Sequence, residues 1–299
     1  MKLRREYGFD NIRCILIFLV VFAHFLEPYT AKNPLYRMIY TFHMPVFAFI
    51  SGWLGHFRPR SLLCSAGIYF LFQLLYRAME CALLGTGFKP DLLTPYWILW
   101  YLPFLIFCRL LLPLLDRYPR FPFWAVSILL SLAAGLVPAI GYPLTLSRFF
   151  VFLPYFILGH TLRSRKFRFP GKLLWFPTCA AALLSLCFAL GDIPVRAFYG
   201  ASAYFPGYGP LLRAGLYFPG TAWCFVFLAL AQQWTAKLPW ISRIGGSTLP
   251  VYLLHGFAVK LIARFAPLPP YPGSILPALA LSAASLAAFS LPGRIRKAC

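Results

Sequence analysis

Apolar residues run along this chain in blocks long enough to cross a bilayer, and most charges fall between the blocks. Crossing about 30 Å of hydrocarbon takes roughly 20 helical residues. Ten such blocks are read, at about 11–28, 36–55, 62–84, 95–115, 121–140, 146–162, 173–190, 213–235, 247–266 and 272–292. The pattern predicts an all-α, polytopic membrane protein with about ten transmembrane helices. It predicts one membrane-embedded domain over 1–299 and no soluble domain. The first block lacks a small-residue cleavage site and is expected to stay as a span rather than leave as a signal peptide. Pro45, Pro103, Pro154, Pro219 and Pro250 fall inside blocks and predict kinks that neighbouring helices compensate.

Charge orients the pattern. Only 12% of residues are charged, against about 25% in soluble domains, yet the net charge is +21. Alternate connections hold most of the basic residues: Lys2, Arg4 and Arg5; Arg58 and Arg60; Arg117 and Arg120; 163–172; Lys237 and Arg243; and Arg294, Arg296 and Lys297. The other set holds Lys32, Arg37, Lys89, Arg148, Arg196 and Arg213. Positive loops face the cytoplasm and attract anionic lipid. Both termini are therefore expected in the cytoplasm. The same distribution explains the charge without nucleic acid.

The first block, DNIRCILIFLVVFAHFLE over 10–27, is apolar but carries Asp10, Arg13, His24 and Glu27. At about 100° per residue Arg13 and His24 point within roughly 20° of each other. They are separated by roughly 16 Å along the axis. Asp10 lies one turn before the arginine and Glu27 one turn after the histidine, so one stripe of the helix is polar. Ionisable groups at membrane depth are costly and by default mark function. A neutral His24 suits a general base, and Glu27 suits a carboxylate that orients the ring. Asp10 and Arg13 form an i,i+3 pair.

The second block holds His43, and its Ser51-Gly52 permits close helix approach. It ends on Arg58-Pro59-Arg60, two arginines held apart by a rigid residue and suited to phosphate. His160 and His255 read as structural histidines that bond to a neighbouring helix. The eight cysteines form no CxxC pair and read as small buried hydrophobes. No metal site is expected from seven scattered acidic residues. Walker A, GxSxG and HExxH sequences are absent.

Arg13 and His24 within DNIRCILIFLVVFAHF resemble the opening motif of the acyltransferase-3 family of membrane acyltransferases. FHMPVFAFISGWL at 42–54 resembles its second-span motif, and Arg58-Pro59-Arg60 its RxR element. YWILWYLPFLIFCRLL at 96–111, RFFVFLPYFILGHTLR at 148–163 and IGGSTLPVYLLHGF at 244–257 resemble later segments. These are of the branch related to fucose 4-O-acetylases and intercellular-adhesin modifying proteins. The resemblance implies a ten-helix enzyme that moves an acyl group, usually acetyl, from cytosolic acyl-CoA to a hydroxyl of a glycan or lipid-linked sugar. It implies Arg13 and His24 as the essential pair and Arg58 and Arg60 as holders of the CoA phosphates. Direct transfer with His24 as base is expected, with an acyl-histidine intermediate as the alternative. Asp10, His43, Ser51 and His255 are expected to support the site or the substrate. The alternative function is an exporter or flippase of polysaccharide or lipid-linked sugar, which kinked helices and buried charges also suit.

Overall fold

A computed structural model describes residues 7–28, 33–118, 120–234 and 236–290. The basic residues Lys2, Arg4, Arg5, Lys32, Arg294, Arg296 and Lys297 of the charge pattern, and Cys299, lie outside the described residues. Within them the chain forms α1 (Tyr7–Leu26), α2 (Pro34–Tyr40), α3 (His43–Trp53), α4 (Pro59–Leu84), α5 (Tyr101–Leu110), α6 (Leu112–Arg117) and α7 (Arg120–Ala134). It continues through α8 (Leu146–Ser164), α9 (Trp175–Leu190), α10 (Pro210–Gln233), α11 (Pro239–Gly245), α12 (Thr248–Phe265) and α13 (Ile275–Phe289). No strand occurs among the described residues, only an isolated bridge between Phe205 and Tyr208. In hydrocarbon each backbone N–H and C=O must be met inside the protein, and a helix does this within one segment.

Among the described residues, six stretches are long and apolar enough to cross a membrane: Tyr7–Leu26, Pro59–Leu84, Trp97–Arg117, Pro143–Ser164, Pro210–Gln233 and Thr248–Phe265. The helices Arg120–Ala134, Trp175–Leu190 and Ile275–Phe289 are apolar but shorter. This is an all-helical polytopic membrane protein. The block expected at 36–55 is not one continuous helix. Asn33 caps α2 by accepting from the Tyr36 amide, and the chain turns at Thr41-Phe42 before α3 begins. The expected proline kinks also need correction. Pro154 and Pro219 do lie inside helices. Pro45, Pro103 and Pro250 instead occupy the first turns of α3, α5 and α12. There the missing N–H has no intrahelical acceptor to lose.

The chain divides into two compact units. The first comprises the described parts of Met1–Phe47, Phe167–Gly191 and Phe218–Arg296. Its centre is α1, which packs against α2, α11, α12 and α13. Two contacts bring backbones together. A Cβ on Gly8 would overlap the Ala231 carbonyl of α10, and one on Gly245 would overlap the Asp10 carbonyl. The second unit comprises the described parts of Ala48–Lys166 and Asp192–Tyr217. There α8 packs on α7 and α5, and α4 on α5. Gly52 and Gly159 allow α3 and α8 to touch: a Cβ on either would overlap the carbonyl of Phe156 or Phe49 respectively.

These contacts set apart glycines of one composition class. Gly245→Val and Gly159→Val are expected to cost at least about 1–3 kcal/mol, the usual range for overpacking. Gly67→Ala in α4, where a Cβ meets nothing within 4 Å, is expected to gain about 0.5–1 kcal/mol. Thermal unfolding in detergent micelles measures the contrast, and equal effects at the three positions would refute the packing account.

Candidate functional site

The polar stripe of α1 lies inside the first unit, and most of its groups are met from α11 and α12. Asp10 is in the first turn, where the helix dipole favours an anion, and His24 is in the last. Arg13 Nη1 lies 3.7 Å from Asp10 Oδ1. Its Nη2 donates to Thr248 Oγ1 at 3.2 Å, at the start of α12. At the other end of α1, His24 Nδ1 lies 3.0 Å from Glu27 Oε2. An ionised carboxylate only accepts, so the ring donates Nδ1–H, and a neutral ring then carries its lone pair on Nε2.

Seven residues beyond Thr248 on α12, His255 lies beside His24, with ring centroids 5.3 Å apart and planes inclined by 30°. His255 Nδ1 donates to the Val251 carbonyl at 2.9 Å. His43 is also buried. Its Nδ1 donates to the Ile39 carbonyl at 2.8 Å, and it lies within electrostatic reach of His24. Asp10, Arg13, His24, Glu27, His43 and His255 thus all belong to one unit. Beyond Glu27, Phe25 and Pro28 line an apolar cleft with Val259, Ile262, Ala263, Pro267 and Leu268.

Arg58, Arg60 and Ser51 belong to the second unit. Ser51 Oγ lies 2.9 Å from the Tyr101 hydroxyl. Arg58 is the N-cap residue of α4, Pro59 follows at its first turn, and no side chain caps the helix. Arg58 and Arg60 are exposed. Pro59 has no N–H and the Ser61 amide bonds the Arg58 carbonyl, so the two exposed guanidinium groups are what suit a phosphate here. Nearby, Arg163 Nη2 donates to His56 Nε2 at 3.0 Å and Arg163 Nη1 to the Gly55 carbonyl at 3.4 Å. Burial, then the positive charges of Arg163 and Arg58, hold His56 below the usual imidazole pKa of 6.5. His160 Nε2 donates to Asp116 Oδ1 at 2.9 Å, and Arg120 meets the same oxygen at 3.3 Å.

Two buried polar anchors escaped the reading of the sequence. Asn11 is 0% exposed. Its Oδ1 accepts from Ser242 Oγ at 2.7 Å and its Nδ2 donates to the Ala236 carbonyl at 2.9 Å. It ties α1 to α11 and to the connection before it. An uncharged amide beside Asp10 was the available signal. Arg213, counted above among outer-segment charges, is 2% exposed and inside the second unit. It donates to the Tyr208 hydroxyl at 2.8 Å and to the carbonyls of Ser131 at 2.7 Å and Ser202 at 2.8 Å. Its guanidinium lies 4.6 Å from the Tyr204 ring. Carbonyls and tyrosines replace its water, which position in a loop census cannot reveal.

The family model described as an acyltransferase domain, of the acyltransferase-3 type, matches residues 6–292. The chain belongs to the acyltransferase-3 family. It is also similar to two curated proteins, each called nodulation protein NolL. The one from Sinorhizobium fredii is 31% identical over 122 residues, 32% of this chain and 33% of that protein. The one from Mesorhizobium japonicum is 27% identical over 169 residues, 48% of this chain and 43% of that protein. The alignments thus span less than half of either relative. No solved structure matches the chain. Among the described residues of this acyltransferase-3 protein, no cluster of three or more His, Cys, Asp or Glu side chains is arranged to hold a metal ion.

The His56 contact gives a pH test. Arg163 needs the Nε2 lone pair, so protonation of His56 competes with that bond. His56 is expected to titrate below 6.5. Its neutral form is favoured above that pH, and the Arg163 contact is lost as pH falls through the lowered midpoint. NMR of histidine-labelled protein in detergent checks this, and Arg163→Gln should move the midpoint back up. An unmoved midpoint in that variant would remove Arg163 as a cause.

Proposed function

We propose that this protein is an O-acyltransferase. It moves an acyl group, acetyl in the simplest case, from cytosolic acyl-CoA to a hydroxyl of a cell-surface glycan or lipid-linked sugar. The carrying observation is the His24–Glu27 contact of 3.0 Å on the central apolar helix, in a chain of the acyltransferase-3 family. The acceptor hydroxyl oxygen attacks the thioester carbonyl carbon. The C–O bond forms as the C–S bond breaks. His24 Nε2 takes the hydroxyl proton and returns it to the leaving CoA thiolate, while Glu27 accepts from Nδ1–H and stabilises the transient imidazolium. Arg13 is held by Asp10 and Thr248 for contact with the substrates. The side chains of Arg58 and Arg60, at the start of α4, bind the phosphates of the donor. His43 and Ser51 support the helices that carry these groups.

We take the chain as one membrane-embedded domain of ten spans in a bacterial inner membrane, with both termini cytoplasmic. The basic connections at Arg58–Arg60, Arg117–Arg120 and 163–172 support this.

The test uses membranes containing the full chain, labelled acetyl-CoA and the glycolipid extract of the producing cell. His24→Ala is expected to lower transfer by about 10²–10⁴-fold. Glu27→Gln removes a charge-assisted bond of about 1.5–3 kcal/mol and should cost about 10–100-fold. Arg58→Ala and Arg60→Ala should each raise the KM for acetyl-CoA about tenfold, the low end for an exposed charged contact. Undiminished transfer by His24→Ala rejects the proposal. Substrate flux independent of acetyl-CoA and of Arg58 and Arg60 would favour an exporter.

A further inference from the structure

The group beside His24 contains one polar atom for which the acyl-transfer chemistry has no use. His255 is 0% exposed. Its Nδ1 faces the Val251 carbonyl one turn back on its own helix. A carbonyl only accepts, so Nδ1 carries the proton and a neutral ring offers Nε2 as an acceptor. That Nε2 is buried and has no hydrogen-bond partner among the described residues. A buried acceptor left unmet forfeits its hydration with nothing in return. The bond to Val251 fixes the ring, so the atom cannot swing away to find a partner. The ring that carries it lies beside His24, with ring centroids 5.3 Å apart.

We infer that His255 Nε2 receives a second hydroxyl of the acceptor, on the carbon next to the one acylated. The acceptor class is then a polyol with hydroxyls on neighbouring carbons. A hydroxyl has one proton to donate. The reacting hydroxyl gives it to His24 and has none left for His255. The hydroxyl on the adjacent carbon does have one. An acceptor without that second hydroxyl leaves Nε2 unmet, and sites built to bond a hydroxyl discriminate strongly against analogues lacking it. The second hydroxyl keeps its proton throughout, and His255 neither gains nor loses one. His255 is therefore a positioning residue that selects which hydroxyl faces His24. The inference rests on the acyl-transfer reading given above.

The experiment uses the full chain in membranes, labelled acetyl-CoA and the glycolipid extract of the producing cell. The acetylated position is mapped by tandem mass spectrometry and NMR. Wild type is expected to acetylate carbons that have a hydroxyl-bearing neighbour. His255→Phe, which fills the space without an acceptor, should raise the KM for the glycolipid at least tenfold and leave the KM for acetyl-CoA unchanged. His255→Gln, whose amide oxygen accepts, should recover part of the loss. A merely structural role would lower turnover or extractable protein without this split and without rescue. Acetylation at a carbon lacking a hydroxyl-bearing neighbour overturns the inference and needs no variant. So does His255→Phe acting on both KM values alike, or His255→Gln folding but showing wild-type donor KM with no rescue. Where His255→Phe fails to fold, the mapped product and the glutamine variant decide. No transfer by wild type rejects the acyl-transfer reading itself, whereas transfer with any of those failures rejects only the role of His255.

Discussion

A polar side chain in hydrocarbon has no water to fall back on, and this requirement fixes the position of α1. An unmet polar group there costs roughly 2–7 kcal/mol, depending on the reference state. Asp10, Asn11, Arg13, His24 and Glu27 all sit on or at the end of one apolar helix. Asn11 needs Ser242 and the Ala236 carbonyl, and Arg13 needs Thr248 as well as Asp10. Those partners belong to α11, to the connection before it, and to α12. Apolar packing alone would let α1 rotate or slide. Directional bonds at separate points along its axis leave one register, and that register puts His255 beside His24.

The glycines act on the same helix by another route. Gly8 and Gly245 let neighbouring backbones approach α1 closely enough to exclude any side chain. Small residues at helix contacts are the usual means of close approach in membranes, where lipid is as apolar as leucine and burial gives little drive. Here close approach and polar bonding occur together. Gly245 rests on the Asp10 carbonyl, and Ser242, three residues earlier, bonds Asn11. One face of a seven-residue helix therefore sets both the distance and the register of α1.

Local chemistry was legible in the sequence, and long-range partnership was not. The apolar blocks matched α1, α4, α8, α9, α10, α12 and α13 to within a few residues, because hydropathy reports the cost of leaving a segment in water. Glu27 beside His24 followed from helical spacing alone. The break between α2 and α3 was missed because both sides of it are apolar, and the turn at Thr41-Phe42 carries no glycine or proline. Proline positions were read as kinks where several proved to be first turns, since the helix start was not known. Arg213 looked like a loop charge because its partners, Ser131 and Ser202, are backbone carbonyls, which no sequence displays. His255 looked like an ordinary structural histidine for a related reason. Its significance comes from His24, on a helix more than 220 residues earlier.

That separation bears on how the protein is made. Asn11 and Ser242 are 231 residues apart, so α1 leaves the ribosome long before α11 and α12. At roughly 5–20 residues per second, the delay is about 10–50 s. Throughout that interval the membrane must accommodate a helix carrying aspartate, asparagine, arginine and histidine without their eventual partners. Lipid headgroups, water drawn inward or the insertion machinery must hold these groups in the meantime. The first helix is thus the last to be finished, and its polar stripe sets the order of assembly as well as the final register.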